Sequence, residues 1–189
     1  MENNNQQQLD LILDMIHSAR QEFTDDSLIY LLWGWAVSLA ALAEFVLIKM
    51  NNQYHAIVWA IAIPLAIIAQ IVIMYRSKKK ERVKSHLDRV FGYVWMAVGL
   101  CIGGVLFSAN ILQAGTYPVL MLLYAIGTFI SGGIMKFKPM MTGAALCWAI
   151  AMAAFYVSFE YQLLLLSLSL VVAYIIPGHL LKIRNSKNV

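Results

Sequence analysis

In a chain built of long hydrophobic runs, the residues able to do chemistry are the few polar ones set within or beside those runs. Glu44 is the one acid inside such a run, and His55 and Glu160 fall in turns expected at the same membrane face. Two carboxylates and an imidazole brought together there can bind a cation or pass a proton. The alternative, which depth favours, is that Glu44 reaches the interface and pairs with Lys49, about one turn further along. Pro177 and His179 form a candidate gate at the opposite face, because proline bends a helix and an imidazole titrates near neutral pH. Against that reading, a lone histidine at a helix end is an ordinary interfacial residue. Gln70 is the main amide within a run, and the hydroxyls Ser38, Ser108, Thr128, Ser131, Ser167 and Ser169 can bond back to their own helices.

Catalytic patterns are missing from the chain. His17, His55, His86 and His179 are scattered and never take the H-E-x-x-H spacing, and no G-x-S-x-G elbow or phosphate-cradling glycine loop is present. Cys101 and Cys147 both lie inside apolar runs, where a thiol behaves as a small hydrophobe, and their spacing suits no metal. The expectation is a protein that is not an enzyme, with no cofactor and no metal. A coupled carrier usually places several acids, amides or broken helices at the midplane, and this chain is nearly bare there. A channel or transporter component for a small neutral or apolar solute remains the alternative function. By length, so does a substrate-capturing subunit of a modular importer.

The elements that must position these residues follow from composition. Hydrophobic residues make up 61% of the 189, charged residues only 13%, and mean hydropathy is +0.70. Soluble domains carry about 45–50% apolar and about 25% charged residues. The excess lies in six runs, approximately 28–48, 56–75, 90–112, 117–135, 141–159 and 163–183, each about long enough to cross a bilayer. The runs lack the alternation of barrel strands, and backbone polar groups in lipid must be satisfied internally, so they are read as helices. These features exclude a soluble enzyme, a disulfide scaffold and a nucleic-acid-binding domain. The predicted fold is all-α: a polytopic membrane domain over 28–183 with six transmembrane helices as three hairpins, a preceding arm over 1–27 and a basic tail over 184–189.

Charge orients the predicted bundle. Thirteen of the fourteen Lys and Arg residues fall in the arm, the second loop, the fourth loop and the tail, and only Lys49 falls on the other side. Both termini are therefore expected in the cytoplasm, the bilayer being the inner membrane of the cell. The net charge of +4 has the same origin and does not mark a nucleic-acid surface. Residues 1–8 carry no signal-peptide pattern, and neither end shows a lipidation motif.

Two cytoplasmic features suit contacts. Over 6–23, Leu9, Ile12, Ile16, Ala19 and Phe23 recur at helical spacing, predicting an amphipathic helix with an acidic polar face. The Thr24-Asp25-Asp26-Ser27 cluster breaks it and caps the first span. Anionic lipid suits that acidic face poorly, whereas the basic second loop, a protein partner or a second copy of the chain suits it well. Arg76, Lys78, Lys79, Lys80, Arg82, Lys84 and Arg89 form a candidate anionic-lipid contact, although such a loop also serves simply to set topology.

Small-residue pairs that allow close helix approach occur at Ala36/Ala40, Gly99/Gly103, Gly127/Ser131 and Ala149/Ala153. Trp35, Trp95 and Trp148, with Tyr54, Tyr117 and Tyr161 near the turns, suggest a threefold hairpin repeat. The runs Asp25-Asp26-Ser27, Leu32-Trp33-Gly34-Trp35, Gly127-Thr128-Phe129-Ile130-Ser131-Gly132-Gly133 and Ile176-Pro177-Gly178-His179 resemble small six-span bacterial membrane proteins of uncharacterised role. The hairpins and Ser131-Gly132-Gly133-Ile134 are also somewhat similar to acid-resistance membrane proteins of the HdeD type. Neither resemblance implies a catalytic residue or a ligand. The function expected from the residues is a non-enzymatic membrane module acting through protein or lipid contacts.

Overall fold

A computed structural model of the chain describes residues 27–78 and 86–187, which are helical apart from short turns, with no strand among the described residues. The expected amphipathic helix over 6–23, and Lys79, Lys80, Arg82 and Lys84 of the second loop, lie outside the described residues. The helices are α1 (Ser27–Lys49), α2 (Ile57–Lys78), α3 (His86–Phe107), α4 (Ala109–Leu112), α5 (Thr116–Ile134), α6 (Lys138–Ala154), α7 (Phe159–Leu170) and α8 (Ile176–Lys187). A 3₁₀ turn joins α4 to α5, and a π turn at Val171–Ile175 joins α7 to α8.

Five helical stretches are long and apolar enough to cross a membrane: Ser27–Lys49, Ile57–Arg76, Arg89–Phe107, Ala109–Ile134 and Phe159–Arg184. The protein is thus an all-α chain with the apolar helices of a membrane protein. The run expected over 141–159 forms a shorter helix, α6, of 17 residues. At 1.5 Å per residue that is about 26 Å, just below the usual length of a span. It begins early because Pro139 sits in its first turn, where a missing N–H costs nothing. The run expected over 163–183 likewise starts earlier, at Phe159, so Glu160 lies in the first turn of α7 rather than in a loop. The run expected over 90–112 is broken at Ser108.

Two helix ends explain how the turns stay short. After α1, Asn52 N–H donates to Leu47 O (3.0 Å) and Asn51 N–H to Ile48 O (2.9 Å), with Asn51 at φ 54°. After α5 the same pair recurs, from Phe137 to Gly132 O (2.8 Å) and from Lys136 to Gly133 O (3.2 Å), with Lys136 at φ 49°. Both are Schellman ends, in which a left-handed residue lets two otherwise orphaned carbonyls be satisfied. The first of them turns the chain back so that α2 runs beside α1.

α6 packs on α5 and on α7 with its π turn, α3 packs on α5, and these helices form the centre. Trp33 Nε1 donates to Gln70 Oε1 across α1 and α2 (2.7 Å), and the hydroxyls of Ser38 and Ser167 meet across α1 and α7 (2.6 Å). At Gly127, a Cβ would touch the Trp95 and Val98 side chains at 3.4 Å, and Trp95 Nε1 donates to Ser131 Oγ at 3.1 Å. The Gly127/Ser131 pair therefore forms the α3–α5 contact, whereas Gly99 and Gly103 have nothing within 4 Å of a Cβ. Pro64 lies within α2 without ending it. Pro177 follows the π turn, and the helix continues to Lys187. A proline cannot donate to the carbonyl four residues back, and the wider π turn accommodates that missing bond. Gly143 of α6 seats against this turn so closely that a Cβ would lie 2.6 Å from Val172 O.

Most side chains of α2 and α3 face outward, including Ile61, Leu65, Ile68, Met96 and Leu100. In water such faces would be unstable, whereas hydrocarbon solvates them. The three tryptophans of the expected repeat occupy different settings: Trp35 is exposed, Trp95 lies against α5, and Trp148 stacks on Phe129.

Candidate functional site

Glu44 lies in the last turns of α1 with 1% of its surface exposed. The preceding Schellman geometry explains its partners, because the α1–α2 turn carries His55 back over the end of α1. His55 Nδ1 lies 2.9 Å from Glu44 Oε1. One turn later, Trp59 Nε1 donates to Oε2 at 2.5 Å. The start of α5 completes the set, with Tyr117 Oη donating to the same Oε2 at 2.7 Å. Three elements thus converge on one carboxylate. A buried carboxylate is very costly unless it is hydrogen-bonded, and here both oxygens have donors.

The surrounding walls are aromatic. The rings of Trp59 and Tyr117 lie 6.2 Å apart, and those of Tyr117 and Phe159 5.3 Å apart. His55 is the accessible member, its side chain 34% exposed against 2% for Glu44.

The expected pairing of Glu44 with Lys49 does not occur. Lys49 Nζ instead lies 2.7 Å from Glu160 Oε2, over the rings of Phe45 (5.6 Å) and Tyr161 (5.2 Å). The reason is direction: Lys49 is exposed and leaves the helix toward α7, while Glu44 points between α2 and α5. Of the expected trio, Glu44 and His55 meet, and Glu160 is held apart from them by Lys49 in a more open ion pair.

Trp59 and Tyr117 escaped the sequence reading as ligands of Glu44. Trp59 follows His55 by one helical turn, a spacing that places two donors on one face. Tyr117 carried only the signal of an aromatic residue near a turn, shared with Tyr54 and Tyr161, which are exposed.

The other candidates lie elsewhere. Pro177 is buried against α6, and His179 Nδ1 bonds Ile175 O of its own helix at 2.9 Å. Arg76 and Arg89 are exposed at the end of the bundle opposite Glu44, with Lys136, Lys138, Lys182 and Arg184. Thr128, Ser131 and Ser169 donate to carbonyls of their own helices, as short hydroxyls in helices commonly do.

Among the described residues no group of three His, Cys, Asp or Glu could hold a metal ion. What the arrangement at Glu44 can do is hold a buried negative charge beside aromatic faces, one imidazole away from solvent. No protein-family model, curated protein or solved structure matches the chain.

Proposed function

We propose that the chain is a six-span inner-membrane protein with both termini in the cytoplasm, acting as a non-enzymatic module through protein or lipid contacts. The observation that carries this reading is how polar groups within the spans are used. Trp33 with Gln70, Ser38 with Ser167, Trp95 with Ser131, and Glu44 with its three donors all join one helix to another. Polar side chains spent on each other hold a bundle together rather than line a water path. A rigid bundle is a suitable mount for contact surfaces, here the acidic arm and the basic second loop.

Counting α6 as the sixth span is part of the proposal. A 17-residue helix lies within the range that crosses a bilayer, and without it Lys136 and Lys138 would fall on the face opposite Lys182 and Arg184, against the charge rule.

Purifying the full chain and a chain lacking residues 1–23 under gentle conditions, then identifying co-purifying proteins by mass spectrometry, tests the function. A stoichiometric partner lost with the arm is the expected result. Associations unchanged by the deletion would remove the arm from the mechanism. Reporter fusions at the C-terminus and in the α1–α2 turn test topology, and equal activity of a cytoplasmic reporter at both would overturn it.

A further inference from the structure

Glu44 holds a full carboxylate almost entirely out of solvent, yet none of its three partners carries a permanent positive charge. Lysine would supply one, but Lys49 is engaged with Glu160. The acceptor capacity is also unevenly filled. An ionised carboxylate offers about four lone-pair sites. Oε2 takes both Trp59 and Tyr117, while Oε1 takes His55 alone. Oε1 keeps capacity for a further donor, and its single partner, His55, is the member of the set that reaches solvent.

We propose that the Glu44 end of the bundle binds a primary organic ammonium group, whose N–H donates to Glu44 Oε1 while its alkyl body faces the rings of Trp59, Tyr117 and Phe159. Two needs of such an ion are met together. Its charge finds a buried carboxylate, and its alkyl body finds aromatic faces, the combination that recognises organic cations. An inorganic divalent ion is a poorer match, because calcium and magnesium need several oxygen ligands and this site offers one carboxylate. His55, carried on the turn and free to swing into water, is the group the ammonium displaces or sits beside. The site is the same whichever way the bundle faces.

The same ammonium chemistry can come from a free amine or from a phosphatidylethanolamine headgroup. The test follows the ¹⁵N-indole resonance of Trp59, identified by its loss in Trp59→Phe, in the full chain. Ethylammonium chloride is titrated against sodium chloride of equal ionic strength in micelles. The expected result is a saturable shift with ethylammonium alone. Glu44→Gln should raise the midpoint about 10-fold or more, since a hydrogen bond to a charged group is lost. His55→Ala, which clears Oε1 without touching the other donors, should leave binding in place or tighten it. In nanodiscs, a shift present with phosphatidylethanolamine and absent with phosphatidylglycerol assigns the headgroup, and a shift that needs added ethylammonium assigns the free amine. The absence of a saturable shift in either medium, or an equal midpoint in Glu44→Gln, would overturn the proposal. Loss of binding in His55→Ala would overturn it too.

Discussion

Replacing Glu44 by leucine removes the acceptor shared by Trp59, Tyr117 and His55 and leaves their donors pointing into an apolar space. His55 can turn to water, because a third of its side chain is already exposed. Tyr117 and Trp59 have less freedom, since Tyr117 is buried and Trp59 is partly buried in the bundle. Each stranded donor costs about 1–3 kcal/mol, so two cost about 2–6 kcal/mol. Interhelical polar contacts in membranes run lower, near 0.6 kcal/mol on average, because the unfolded state in lipid also finds partners. Removing a buried charge returns a further part. A net loss of about 2–3 kcal/mol is the reasoned value for Glu44→Leu. Glu44→Gln keeps one carbonyl oxygen where Oε2 stood and should cost about half as much. The assay is unfolding in mixed micelles with increasing denaturing detergent, followed by tryptophan fluorescence, with Trp59→Phe as a second background. In that background the Glu44→Leu penalty should shrink, because one stranded donor is gone. Wild-type stability in Glu44→Leu, or a larger loss in Glu44→Gln than in Glu44→Leu, would refute the account.

Three further substitutions probe the packing and the backbone. Gly143→Ala should destabilise by about 1–3 kcal/mol, since its Cβ would press on Val172 O, a backbone atom that cannot swing aside. Gly99→Ala, with open space around the new methyl, should be neutral or stabilise by up to about 1 kcal/mol through helix propensity, and parallel unfolding curves compare the two. Lys136→Gly should stabilise by about 1 kcal/mol, because a side chain is unfavourable at φ 49° while the Schellman bonds remain. An unfolding midpoint lowered by this change would mean that the Lys136 side chain contributes more than its backbone costs.

The solvent class of this protein was legible in composition and in run length, since a helix of about 20 apolar residues has few other stable homes. The first turn was legible too, because polar residues after Lys49 punctuate the runs. The turn expected at Glu160 instead falls earlier, at 155–158, because no charged residue marks the end of α6. Glu44 and His55 could be singled out by rarity, as ionisable groups near membrane depth. Their partners could not. In a soluble helix the hydrophobic stripe tells which side faces inward, but lipid and protein interior are equally apolar, so α1 could present Glu44 to any neighbour. Only the packed bundle decided that Glu44 turns toward Trp59 and Tyr117 while Lys49 turns to Glu160. The small-residue pairs carry the same lesson. Gly99/Gly103 and Gly127/Ser131 look alike as sequence, yet one faces outward and the other holds α3 to α5. The π turn before Pro177 likewise depends on Gly143 lying across it on another helix, a contact between residues about thirty positions apart that no local pattern encodes.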